Sequence, residues 1–267
     1  MSLDSVPIHF RAWGSTGPRV ILLHAIGLDH HSWDAVGPTL ANHCQAVAAD
    51  LPGHGESGKP AGADYSLPSM ARRMIQLLDE LGWDNAVFIG NSIGGGVSLA
   101  SAILAPRRVR ALSLVNSIAF RDGLPLLGRT GFLPIAPLIA RMSPVPLTRI
   151  GLSVARGGFR AAPVDQAARV SGVLRQPDGN AAFFNALRRL YGPDLDRLSQ
   201  RYPEITVPTL VMHGRSDPLI RFPHAERLVR TLPSAELVPV SGCGHFPQEE
   251  RPPVVAEALL HFLKKVG

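Results

Sequence analysis

The chain has 267 residues, with 27 Lys+Arg against 21 Asp+Glu and a formal charge of +6. Its 45% hydrophobic and 18% charged residues exclude a disordered or fibrous chain and fit one large α/β domain or a domain with an insertion. The basic balance raises a polyanionic partner, yet no block of five like charges occurs, so a basic tail is excluded. All cations but Lys59, Lys264 and Lys265 are arginines. Two cysteines, Cys44 and Cys243, do not make a disulfide framework. Residues 1–11 read as no apolar leader, and no run of about 18 uncharged apolar residues follows. A cytoplasmic protein is expected, with neither a nucleic-acid nor a membrane partner.

In chain order, residues 19–24 (RVILLH) and 45–50 (QAVAAD) read as buried strands. Met70, Met74, Leu77, Leu78 and Leu81 recur at helical spacing and predict a helix over 67–81. A strand over 85–90, a helix over 93–104 ended by Pro106, and a strand over 109–116 follow. This alternation, with continuously apolar strands, predicts an α/β fold whose mostly parallel sheet carries helices on both faces. The pattern stops after Asn116. From 117 to 205 prolines are frequent, and 163–174 and 180–190 read as helices. Strand 208–213, helix 223–231, strand 235–240 and helix 254–264 then resume the alternation. Leaving a sheet and returning to it marks an insertion. Residues 1–116 and 206–267 therefore form the expected core, and 117–205 the inserted unit.

Gly90-Asn91-Ser92-Ile93-Gly94 sits where a strand ends and a helix begins. G-x-S-x-G in that context places a serine on a sharp turn, with glycines where side chains would collide. The following helix points its N-terminus at the serine and favours negative charge there. An acid and a histidine follow in the order such chemistry uses: Asp217, just past strand 208–213, and His245, just past strand 235–240. A serine hydroxyl needs an imidazole to take its proton, and a carboxylate fixes the imidazole tautomer. Asp122 is a competing acid after the preceding strand. The loop His24-Ala25-Ile26-Gly27 is positioned to complete an oxyanion hole, with the Ile26 and Ile93 N–H groups as donors.

These residues resemble the α/β-hydrolase family over about 5–116 and 206–267. Asp50-Leu51-Pro52-Gly53-His54-Gly55-Glu56-Ser57 is similar to the family's D-x-x-G-x-G-x-S turn, and 244–252 (GHFPQEERP) to a common ending. One departure is His24-Ala25 where many relatives have His-Gly. Residues 25–29 with Trp33 resemble enol-lactonases, and 90–95 resemble hydrolases that cleave carbon–carbon bonds of ring-fission products. A serine nucleophile disfavours the aspartate-dependent dehalogenases and epoxide hydrolases of this fold. The resemblance implies a serine hydrolase without cofactor or metal, acting on a small-molecule ester, lactone or acidic substrate. Carbon–carbon bond hydrolysis, perhydrolysis and a slow-turnover receptor remain alternatives.

The resemblance also implies that 117–205, inserted after the sixth family strand, is a helical cap over Ser92. Residues 117–205 contain 12 Arg and 6 acidic residues, while the rest of the chain holds 15 cations and 15 anions. The entire charge excess thus lies in the insert. Arg141, Arg188 and Arg189 are candidates to receive a substrate carboxylate, against the alternative of a solvated basic surface. Phe246, beside His245, is a further candidate contact. Phe132, Leu138, Met142, Phe159, Phe183, Phe184 and Leu187 are candidate pocket residues. Adjacent His30 and His31 point to no metal, since no H-E-x-x-H or C-x-x-C accompanies them. His54 reads as structural, and Cys243 has no task in such a site.

Overall fold

The computed structural model describes residues 2–125, 133–142, 144–158 and 161–267; Phe132 and Phe159 lie outside them. The described strands are β1 Phe10–Trp13, β2 Arg19–Leu23, β3 Gln45–Ala49, β4 Ala86–Asn91, β5 Val109–Val115, β6 Thr209–Gly214 and β7 Ala235–Val240. They form one sheet in the order β1-β3-β2-β4-β5-β6-β7. Only β1 runs antiparallel, paired with β3. It lies on the sheet edge and is mostly exposed, so no apolar alternation announces it in the sequence.

The helices are α1 Gly37–Leu40, α2 Leu67–Glu80, α3 Ile93–Leu104, α4 Ala136–Met142, α5 Val145–Ala155, α6 Val164–Arg175, α7 Pro177–Leu190, α8 Asp194–Ser199, α9 Phe222–Thr231, α10 Pro247–Glu250 and α11 Pro252–Val266. Helices α4–α8 all fall between β5 and β6. Among the described residues, no helix is long and apolar enough to cross a membrane.

The strands read as unbroken apolar runs because both sheet faces are covered. Ile21, Phe88 and Leu112 pack into one layer with α2 and α3. Val20, Ile89 and Val115, on the opposite face, pack with α11 residues such as Leu259 and Phe262. Helix α2 buries Met70, Met74, Leu77 and Leu78 on one stripe, as the spacing predicts. Ser66 caps it by accepting the Ser69 N–H.

Register brings the reactive ends together. Leu23 lies opposite Gly90, Asn91 opposite Val115, and Val115 opposite Met212. Thus the loop after β2, Ser92 after β4, Asn116 after β5 and Asp217 after β6 share the carboxyl edge of the sheet. Open parallel sheets place their ligands at that edge.

The turn at 50–57 is fastened by one buried carboxylate. Asp50 accepts the backbone N–H of His30 at 2.7 Å and of Glu56 at 2.8 Å. The His30 and His9 Nδ1 atoms lie 3.0 and 3.2 Å from it. Gly55 is left-handed (φ +48°), and a Cβ there would lie 2.2 Å from Asp50 Oδ2. His9, His30 and Asp50 bring three ligand-type atoms within 4.8 Å of one another. The four nitrogens around Asp50 account for this cluster as a hydrogen-bonded clamp.

Burial pushes the Asp50 carboxyl up, but the His30 hydrogen bond, the neighbouring imidazoles and the two amides outweigh it and hold it low. The Asp50 hydrogen bond in turn raises His30, against burial. A raised imidazole contributes stability that is full below its unfolded pKa and is lost as pH rises through the folded one. The melting temperature lost in His30→Gln should therefore be larger near about pH 6 than near about pH 9. An identical loss at both pH values would contradict the pairing.

Candidate active site

Ser92 occupies a conformation that L-residues rarely adopt, with φ +55° and ψ −114°. Such strain costs about 1–3 kcal/mol and persists only where the surroundings enforce it. Here the Ser92 N–H donates to Val115 O at 3.1 Å, and Ser92 O accepts from Ile118 N at 3.0 Å. A Cβ on Gly90 would lie 2.2 Å from Gly94 O, the collision expected across the turn. The limit on Gly94 differs from that expectation. Its Cβ would meet Leu23 O at 2.5 Å, so Gly94 lets α3 approach the end of β2.

Asp217 is buried, and four donors surround its carboxylate. His245 Nδ1 lies 2.7 Å from Oδ2. Asn116 Nδ2 donates to the same oxygen at 2.6 Å. The Leu219 and Ile220 N–H groups donate to Oδ1 at 2.7 and 3.1 Å. Burial raises this carboxyl, but the His245 charge and the hydrogen bonds of His245 and Asn116 bring it below its ordinary value. It is therefore ionised at neutral pH and holds the Nδ1 proton of His245. Asp122, the competing acid, lies on the surface and pairs with Arg227 at 2.9 Å.

The loop after β2 is fixed by His24. Its Nε2 accepts the Leu51 N–H at 2.9 Å, and its Nδ1 lies 2.8 Å from Ala25 O. Those two contacts define a neutral tautomer, and burial lowers its pKa in the same sense. Within this loop Gly27 is left-handed (φ +77°), and its open side faces the Phe183 ring. Among the described residues, no acceptor is found for the N–H groups of Ile26 and Ile93. His54 is buried and pushed down to about 3 by burial, which excludes it as a base of ordinary strength. Burial pushes the Cys243 thiol up, so its thiolate is suppressed.

Ser92, Ile26, His245 and Phe246 open onto one cavity of about 590 Å³. Leu133, Ile139, Leu152, Phe183, Phe184 and Leu187 are among the insert residues that wall it. Among the described residues, its lining contains no Arg, Lys, Asp or Glu. The expectation for Arg141, Arg188 and Arg189 is thereby corrected: all three are exposed and none lines the cavity. Arg189 pairs with Asp64 at 3.2 Å, and Arg188 lies over the Phe184 ring. Helix α7 turns Phe183, Phe184, Leu187 and Leu190 to the cavity; Arg189 falls on its other side, and Arg188, one turn from Phe184, flanks that face outside the lining. Leu138 and Met142 also point away and are exposed.

Several site residues carry no signal that a triad pattern reads. Asn116, left-handed at φ +43°, donates to Asp217 and Gly244 O and accepts the Gly214 N–H. A polar residue ending a buried strand was its one trace. Asn91 donates to His245 O, and Gln248 donates to Asn91. Glu250 accepts the N–H groups of Gly244 and Phe246, the two neighbours of His245. The insert contributes too: the His245 N–H donates to Ala155 O at 3.0 Å. Beside it, Arg156 of the insert pairs with Glu249, and Gln166 donates to the same carboxylate at 2.9 Å. Burial pushes the Glu249 carboxyl up to about 7, against the pull of Arg156.

Replacing Asn116 by Ala orphans the buried Gly214 N–H and removes one donor from Asp217. The expected result is a loss of about 1–3 kcal/mol in denaturant unfolding, together with a lower kcat. Unchanged stability and kcat would show that Asn116 does not hold the acid.

The profile of the alpha/beta hydrolase family matches residues 20–258. The chain is 31% identical to the pimeloyl-[acyl-carrier protein] methyl ester esterase of Klebsiella pneumoniae, over 97% of this chain and 99% of that protein. It is 29% identical to the 2-hydroxy-6-oxo-2,4-heptadienoate hydrolase of Pseudomonas putida, over 88% of this chain and 85% of that protein. Its structure is similar to a thermophilic esterase from Thermogutta terrifontis, with a TM-score of 0.82, 26% identity, and coverage of 98% and 94% of the two chains. With its sheet order, its strained serine turn and a profile match over most of its length, the chain belongs to the alpha/beta hydrolase family.

Proposed function

We propose that the protein is a serine hydrolase of small, predominantly apolar carboxylic esters or lactones, working through an acyl-serine intermediate. The observation that carries this reading is the cavity. It joins Ser92 and His245 to an apolar wall supplied by the insert, with no charged partner for a substrate among its described residues. His245 takes the Ser92 proton as the hydroxyl attacks the carbonyl, and Asp217 stabilises the imidazolium through its 2.7 Å contact. The Ile26 and Ile93 N–H groups receive the developing oxyanion, where one such donor is worth about 3–4 kcal/mol. His245 then gives the proton to the leaving oxygen, and water repeats the sequence to release the acid. Helices α4–α8 act as a cap that shapes the acyl pocket and excludes water.

Carbon–carbon bond hydrolysis is the second reading, favoured by the Pseudomonas putida relative. Its named dienoate substrate carries a carboxylate. A buried carboxylate needs a cation or several donors, and the described lining supplies no cation. Neutral medium-chain esters should accordingly exceed carboxylate-bearing analogues and a ring-fission dienoate by about tenfold or more in kcat/KM. Ser92→Ala should lower ester turnover by about 10⁴-fold or more. Preference for the dienoate would reverse the order of the two readings. A labelled Ser92 without sustained turnover would favour a receptor.

A further inference from the structure

The outer face of the insert is apolar where a water-facing surface is ordinarily polar. Twelve large hydrophobic side chains are exposed among the described residues, and nine of them fall within 133–164. Met142 is 74% exposed and Ile150 60%. On α5, Leu147, Ile150 and Val154 recur at i, i+3 and i+7 and face outward, while Leu152 and Ala155 of the same helix face the cavity. A helix apolar on both sides has both sides covered in a globular protein. Among the described residues, only the inner side is covered.

Charge selects what covers the outer side. Between Asp122 and Asp165 the sequence has five arginines and no acidic residue. Of these, Arg141 at the end of α4 is exposed, whereas Arg149 on α5 is half-buried with its Nε donating to Ala162 O at 2.8 Å, and Arg156 is buried against Glu249. A second copy of the chain would offer Arg141 no carboxylate from residues 123–164, which contain none. An anionic surface with an apolar interior matches both properties. The patch is also continuous with the active-site cavity: Leu133, Ile135 and Ile139 are exposed and at the same time wall the space over Ser92. Helices α4 and α5, of 7 and 11 residues, are too short to span a bilayer but suit its interface.

We propose that the α4–α5 face docks on an anionic lipid bilayer. Leu138, Met142, Leu147, Ile150 and Val154 sit at the headgroup boundary, and Arg141 faces the lipid charge. The sequence alone points the charge excess of the insert to an acidic small molecule and not to a membrane; the exposed apolar face beside Arg141 restores the membrane partner. In this pose the cavity mouth opens toward the membrane, so a lipid-dissolved ester reaches Ser92 from the apolar side. That last step rests on the hydrolase reading; the docking itself does not.

The test is co-sedimentation of the full chain carrying Ser92→Ala with vesicles of phosphatidylcholine, alone or with about one third phosphatidylglycerol. Partitioning should be about tenfold or more higher on the anionic vesicles and should fall as salt is raised. Adding Met142→Asp and Ile150→Asp should remove most of that binding. The same pair in the otherwise unaltered chain should leave turnover of a water-soluble short ester within about twofold. Equal partitioning on both vesicles, or binding that survives the two aspartates, overturns the proposal. A dimer in sedimentation equilibrium that the two aspartates dissociate, without vesicle binding, also overturns it and assigns the face to self-association. Loss of short-ester turnover in the unaltered chain would instead strike the hydrolase reading and leave the docking result standing.

Discussion

A carboxylate buried at the edge of a sheet is tolerated only if donors replace the water it has lost. Asp217 draws its donors from across the fold. Asn116 comes from the end of β5, two amides come from the loop after β6, and the His245 imidazole comes from the loop after β7. Each donor is useful only if its strand ends at the correct height, so the acid ties the register of three strands to the orientation of one imidazole. Asn116 also accepts the Gly214 N–H, which couples the same amide side chain to the exit of β6.

The other side of His245 is held by the insert and the C-terminal helices. Its N–H meets Ala155 O, its carbonyl accepts from Asn91, and Glu250 binds the amides on both sides of it. A side chain at Gly244 would lie within 2.4 Å of the Arg156 backbone, so the insert approaches this loop as closely as glycine allows. The Arg156–Glu249–Gln166 cluster extends that contact. Displacement of α5 would thus reach the His245 loop directly, and the pocket wall and the imidazole share one support.

Much of this was legible in the sequence. Strands buried on both faces announce themselves by unbroken apolar runs, and α2 by its 3.6-residue stripe. The contact of Asp217 with His245, and the opening of Ser92 and His245 onto one cavity, follow a motif, a strand end and a fixed order that the sequence displays. β1 could not be read, because an exposed edge strand has no buried face to pattern. Asn116 and Glu250 escaped because their work is hydrogen bonding to atoms far away in sequence. The three arginines misled for an instructive reason. Net charge locates an excess on a segment, but helix phase decides which face bears it, and the apolar face of α7 took the cavity. Arg141, Arg188 and Arg189 lie on an outer surface and not in the pocket.

The central claim is that Ser92 is the nucleophile and that His245, held by Asp217, activates it. Site-mapped labelling with a fluorophosphonate measures this most directly, comparing the intact chain with His245→Gln. The account predicts one adduct per chain, on Ser92, formed orders of magnitude faster in the intact chain than in the variant. An adduct on another residue, or equal labelling rates in the two proteins, would contradict it.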